Sequence, residues 1–146
     1  VAALDRLSGV AAIQDILVVD DDLDDLRLVQ KILQEHGDFQ VRLAQGGPEG
    51  LVAIQTKPPQ LLILDLLMPE LDGFTLLETI REEPFWRDIP VIILSAGDLT
   101  EEQQSRLNEF SLNLLHKEGL KGADLLKSVE DELKRIEAGK MKEHNP

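Results

Sequence analysis

Three short stretches, 16–19, 61–64 and 91–94, consist entirely of Ile, Leu and Val, and each stops abruptly on a polar residue: Asp20, Asp65 and Ser95. Four-residue apolar runs bounded in this way fit strands covered on both faces better than buried helices. Residues 40–44 instead alternate, with Val41 and Leu43 on one side, as a half-exposed strand does. A shorter segment, 112–115, reaches Lys117 after His116 and completes five strands. Between the strands the apolar spacing becomes helical. Leu26, Val29, Ile32 and Leu33 mark a helix over 24–35 that stops at His36-Gly37. Gly46-Gly47-Pro48 opens a second helix through about Thr56, ended by Lys57-Pro58-Pro59. After a loop over 66–73, Phe74, Leu76, Leu77 and Ile80 define a third. Thr100-Glu101-Glu102-Gln103 has the form of a capping box and starts a fourth. Leu125, Leu126, Val129, Leu133 and Ile136 place a fifth over 122–138, with Gly139 as its terminator. Pro84 and Pro90 bracket a loop whose Phe85 and Trp86 are read as a packing lid over the sheet edge.

Helix-length connections between successive strands require a parallel sheet, and right-handed crossovers put helices on both of its faces. Residues 15–138 are thus expected to form one α/β domain, with 1–14 a lead-in helix or linker and 139–146 a tail. Because the alternating second strand suits an edge, we select the order 2-1-3-4-5, the doubly wound arrangement known from flavodoxin.

Composition narrows the function. With 28 acidic and 15 basic residues the net charge is −13, a field that repels nucleic acid and anionic membrane surfaces. The absence of cysteine excludes disulfides and thiolate metal sites. It also agrees with a cytoplasmic setting. The apolar runs fall far short of the ~20 residues needed to span a bilayer.

In a 2-1-3-4-5 sheet the winding reverses between strands 1 and 3, opening a crevice at their carboxyl ends. Asp20, Asp21 and Asp65 are delivered there. Three carboxylates about 5 Å apart repel by ~3 kcal/mol per pair at an effective dielectric near 20, and a divalent cation relieves this. Oxygen-only ligands with room for water suit Mg2+. Farther along the rim, Ser95 offers a hydrogen bond and Lys117 a positive charge to phosphoryl oxygens. Asp65, central among these groups, is placed to attack phosphorus and form an acyl phosphate.

Taken singly, each residue has an ordinary alternative. Asp20 to Asp25 hold five acids in six positions, and carboxylates also cap helices. Asp65 can begin a turn, Ser95 can serve as a loop hydrogen-bonder, and Lys117 can be a surface lysine. His36, His116 and His144 read as solvated.

Together, Asp20-Asp21, Leu64-Asp65 with Met68-Pro69 and Asp72-Gly73, Leu94-Ser95-Ala96 and Lys117 resemble the receiver domain of two-component response regulators over nearly the whole chain. The resemblance implies that Asp65 accepts phosphate from a phosphohistidine on a histidine kinase or histidine phosphotransfer protein. It further implies that Asp21, Asp65 and the Leu67 carbonyl bind Mg2+ directly and Asp20 through water. Ser95, Ala96 and Lys117 would form the phosphoryl-binding and switch region, and a homodimer is compatible with it. Three positions depart from the family pattern. Glu118 follows Lys117 in place of proline, Leu114 stands where an aromatic side chain often reports phosphorylation, and Leu67 is bulky and apolar while Gly97 is open. The segments 97–100 and 117–119 also resemble receivers embedded in hybrid sensor histidine kinases. Two other functions compete: a degenerate receiver acting as a constitutive docking module, and an aspartyl-nucleophile phosphatase. The second would need an acid/base aspartate at position 67, where Leu67 stands.

Overall fold

A computed structural model describes residues 15–68, 71–97, 99–110 and 113–144. The lead-in segment 1–14, Pro69, Asp98, Leu112 and the last two residues, all invoked above, lie outside the described residues. Among the described residues five strands and five helices alternate: β1 (Asp15–Asp20), α1 (Leu23–His36), β2 (Gln40–Gln45), α2 (Gly47–Thr56), β3 (Leu61–Asp65), α3 (Gly73–Glu82), β4 (Val91–Ser95), α4 (Glu101–Phe110), β5 (Asn113–His116) and α5 (Gly122–His144). The strands form one parallel sheet in the order β2-β1-β3-β4-β5. This is the expected flavodoxin-like arrangement.

The unbroken apolar runs follow from that architecture. Successive side chains of a strand point to opposite faces, so each run supplies two cores at once. Leu17, Val19, Leu62, Leu64, Val91 and Ile93 pack on one face against Phe74, Leu77 and Ile80 of α3 and Leu107 of α4. Ile16, Val18, Leu61, Ile63, Ile92 and Leu94 pack on the other against Leu26, Val29 and Leu33 of α1 and Leu125 and Val129 of α5. Complete burial of each such side chain contributes roughly 1.5–3 kcal/mol. A polar replacement in the central strands would therefore damage one whole layer. The alternating β2 lies at the edge, as its pattern requires.

Local signals act where they are read. Asp22 caps α1 by accepting from the Asp24 and Asp25 amides. The capping box of α4 is complete: the Gln103 amide donates to Thr100 Oγ1 at 3.1 Å, and the Thr100 amide donates to Gln103 Oε1 at 2.9 Å. At the opposite end of the sheet the buried Asp15 receives Arg42 Nε and Nη2 at 2.9 and 3.0 Å. The same guanidinium donates to the Ala53 and Lys57 carbonyls at the end of α2, tying β1, β2 and α2 together.

Two expectations need correction. Helix α5 does not stop at Gly139 but runs on to His144. A helical glycine costs only ~1 kcal/mol relative to alanine, and the good helix formers that follow it carry the helix onward. The aromatic pair in the α3–β4 loop divides: Trp86 packs against the α3 core, whereas Phe85 remains 88% exposed.

Candidate functional site

β1 and β3 run side by side with Val19 opposite Leu64. Continuing that register by one residue brings Asp20 opposite Asp65. Both carboxylates are almost completely buried, whereas Asp21 is exposed. Asp20, Asp21 and Asp65 each offer an oxygen, and these atoms all lie within 4.8 Å of one another. The expected acidic cluster is therefore assembled by strand geometry.

Lys117 follows β5 and reaches across the rim into this cluster. Its Nζ lies 2.6 Å from Asp20 Oδ2, 3.0 Å from Asp25 Oδ2 and 3.3 Å from Asp65 Oδ2. The Lys117 amide donates to the Ser95 carbonyl at 2.8 Å, which joins the ends of β4 and β5. On Asp65, the other oxygen accepts from the Leu67 amide at 3.3 Å. On Asp20, it accepts from the Asp22 amide at 3.0 Å.

These surroundings set the charge states. Burial pushes the Asp65 carboxyl up and the neighbouring Asp20 charge pushes it further, to about 7, while Lys117 and the Leu67 amide act in the opposite direction. Burial also raises Asp20, against the opposing pull of Lys117. Burial alone would lower Lys117, but its pairs with Asp20 and Asp25 and the charge of Asp65 outweigh that and raise it. The lysine therefore stays protonated, and the acids remain short of compensating charge.

Ser95 ends β4 completely buried, and its Oγ has no hydrogen-bond partner among the described residues. An unpartnered buried hydroxyl is costly; Ser95 thus carries an unused donor at the rim. Ala96 and Gly97 follow it on the exposed surface, with Gly97 at φ +74°. Leu114 is half-buried against the α3–α4 core. Leu67, two residues after Asp65, is 43% exposed, and Glu118 is exposed in the turn after Lys117, with no cis peptide bond among the described residues.

The loop after Asp65 is also held by its backbone. The Gly73 amide donates to the Leu66 carbonyl at 2.9 Å, and a Cβ at Gly73 would meet the Asp65 carbonyl oxygen at 2.4 Å. Only glycine permits that approach, so Asp72-Gly73 shapes the loop as well as opening α3.

Two contributors were not singled out from sequence. Asp25 pairs with Lys117, and its sole signal was membership of a crowded acidic run. Gln45, at the end of the edge strand, donates from Nε2 to the Asp21 carbonyl at 3.2 Å, while the Gly46 amide donates to the Asp20 carbonyl at 3.0 Å. A polar residue at a strand end gives no distinguishing pattern.

Both the sequence and the doubly wound sheet have counterparts among known proteins. The profile of the response regulator receiver domain matches residues 16–130. The chain belongs to that family, a module of two-component signalling. Response regulator Rre1 of Synechocystis is 35% identical over 88 residues, 60% of this chain and 38% of that protein. The chain thus spans well under half of that relative. Among solved structures, Vibrio cholerae chemotaxis protein CheY4 is 25% identical with a TM-score of 0.72, covering 82% of this chain and 98% of its own. The signal receiver domain of a signal transduction histidine kinase from Syntrophus aciditrophicus is 30% identical with a TM-score of 0.70, covering 85% and 89%. One neighbour is thus part of a kinase, and none of the helices described here is long and apolar enough to cross a membrane.

Proposed function

We propose that this receiver domain, taken as residues 15–138, accepts a phosphoryl group on Asp65 from a phosphohistidine and thereby changes conformation to control an attached domain or a bound partner. The observation that carries this reading is the Asp65 carboxylate itself, buried at the end of β3 with Lys117 3.3 Å away and the oxygens of Asp20 and Asp21 beside it. Receiver domains generally partner with histidine kinases; a histidine kinase or histidine phosphotransfer protein in the cytoplasm is the donor proposed here.

The donor set fits a hard divalent cation: oxygens of Asp20, Asp21 and Asp65 lie within 4.8 Å of one another, and three carboxylates, Asp20, Asp25 and Asp65, surround the Lys117 ammonium. Asp21, Asp65 and the Leu67 carbonyl would hold Mg2+ directly, with Asp20 through water. Bound there, the ion would neutralise charge on the transferring phosphoryl oxygens.

The chain's own groups do the rest. An Asp65 oxygen attacks phosphorus, a P–O bond forms as the P–N bond to the donor imidazole breaks, and the imidazole departs. Lys117, fixed in its protonated state, stabilises the negative oxygens. Ser95 turns its unpartnered hydroxyl to one of them, and because Ser95 and Ala96 open the β4–α4 loop, that movement transmits the change. Phosphotransfer profiling tests the donor: purified phosphorylated histidine kinases and phosphotransfer proteins are mixed with the chain and its Asp65→Asn variant. Transfer to the first and not the second is expected. Transfer to neither from any donor contradicts the reading.

A further inference from the structure

We propose that Asp25 is a positioning residue that fixes the Lys117 ammonium over Asp65. This rests on the phosphoacceptor reading for its kinetic consequence, but not for its geometry. A lysine ammonium has three N–H donors, and three carboxylates receive them: Asp20 at 2.6 Å, Asp25 at 3.0 Å and Asp65 at 3.3 Å. Two of these acids belong to the cluster able to hold a cation, which comprises Asp20, Asp21 and Asp65. Asp25 stands outside it.

The distinction gives Asp25 a separate task. A dication drawing on Asp20 and Asp65 weakens their hold on Lys117 by competing for the same oxygens. Asp25 comes from the first turn of α1, where its amide is bound by the Asp22 carboxylate at 3.3 Å, so the capped start of the helix sets its backbone. It keeps one N–H of Lys117 in place from the α1 side. The remaining donors then stay directed at the acceptor. Without Asp25, and with Asp20 and Asp65 drawn to the cation, this long, flexible side chain would spread over several rotamers, and loss of alignment by about 1 Å costs up to ~100-fold in rate.

The test combines kinetics with a spectroscopic readout in the whole 146-residue chain. Phosphorylation by a small-molecule phosphodonor with Mg2+ is timed in four proteins: wild type, Asp25→Asn, Lys117→Gln and the double variant. Asp25→Asn is expected to slow phosphorylation on the order of tenfold in the Lys117 background and by less than ~2-fold in the Lys117→Gln background, because its action passes through the lysine. Equal slowing in both backgrounds, or none in the first, overturns the proposal. In parallel, NMR of side-chain-labelled lysine, with Mg2+ and without phosphodonor, should show the Lys117 side chain more mobile in Asp25→Asn. Unchanged Lys117 mobility also overturns it, and this arm decides the matter if the Lys117→Gln proteins react too slowly to time. Failure of the wild type to take up phosphate would instead defeat the phosphoacceptor reading and leave the NMR result to judge Asp25.

Discussion

Lys117 Nζ lies closer to Asp20, at 2.6 Å, than to Asp65, at 3.3 Å. The resting lysine thus serves first to neutralise Asp20, and only second to touch Asp65. Lys117→Met should strand both carboxylates in a buried position. Loss of one partner from a buried ion pair costs about 3 kcal/mol or more, and denaturant unfolding without metal should report a loss of that order. Saturating Mg2+ should restore a larger part of the stability in the variant than it adds to wild type, because the ion takes over the missing charge. Equal magnesium stabilisation of the two proteins would contradict this.

Asp65 sets a pH dependence of unusual sign for an acid. Folding raises its carboxyl from 3.8 to about 7, through burial and then the charge of Asp20. The folded chain therefore binds this proton more tightly than the unfolded chain. The resulting stability is complete below about pH 3.8 and is lost as pH rises through 7. Between pH 8 and pH 5.5 the metal-free protein should gain roughly 2 kcal/mol from this group, and Asp65→Asn should remove most of the gain. A stability that falls over the same interval, or a slope untouched by Asp65→Asn, would count against the assigned environment.

Ser95→Ala separates stability from switching. The hydroxyl is buried without a partner among the described residues, so its deletion should change the unphosphorylated stability by less than ~1 kcal/mol or increase it. The phosphorylated form should nevertheless lose the conformational change at the β4–α4 loop, seen as unshifted amide resonances of Ala96 and Gly97. A stability loss of several kcal/mol would show that Ser95 has a structural partner.

Gly73→Ala should disrupt the loop that follows Asp65. Its Cβ would press on the Asp65 carbonyl oxygen and the Leu66 Cα, which are backbone atoms unable to step aside cheaply. Overpacking of this kind costs typically 1–3 kcal/mol, and phosphorylation should slow along with it. Wild-type rate and thermal stability in this variant would refute the role given to the close approach.

The fold was legible because both faces of the sheet are covered, which turns three strands into continuous Ile, Leu and Val runs and leaves the edge strand β2 alternating. The same runs revealed the site, since Asp20, Asp65 and Ser95 are the first polar residues after each one. Lys117 was readable as a cation at the end of the last strand, but the identity of its partners was not. Asp25 is one carboxylate among five neighbours in sequence, and only the turn of α1 decides which of them faces the lysine. Gln45 was hidden for a related reason: its contact with the Asp21 carbonyl depends on the pairing of β1 with β2. The extent of α5 escaped because Gly139 weakens a helix without obliging it to end.

Intact-mass spectrometry after incubation with Mg2+ and a small-molecule phosphodonor tests the central claim most directly. The wild-type chain should gain the mass of one phosphoryl group, labile to base as an acyl phosphate is and absent when Mg2+ is chelated, while Asp65→Asn should gain none. An unmodified wild type, or an equal mass gain in Asp65→Asn, would contradict the assignment of Asp65 as the acceptor.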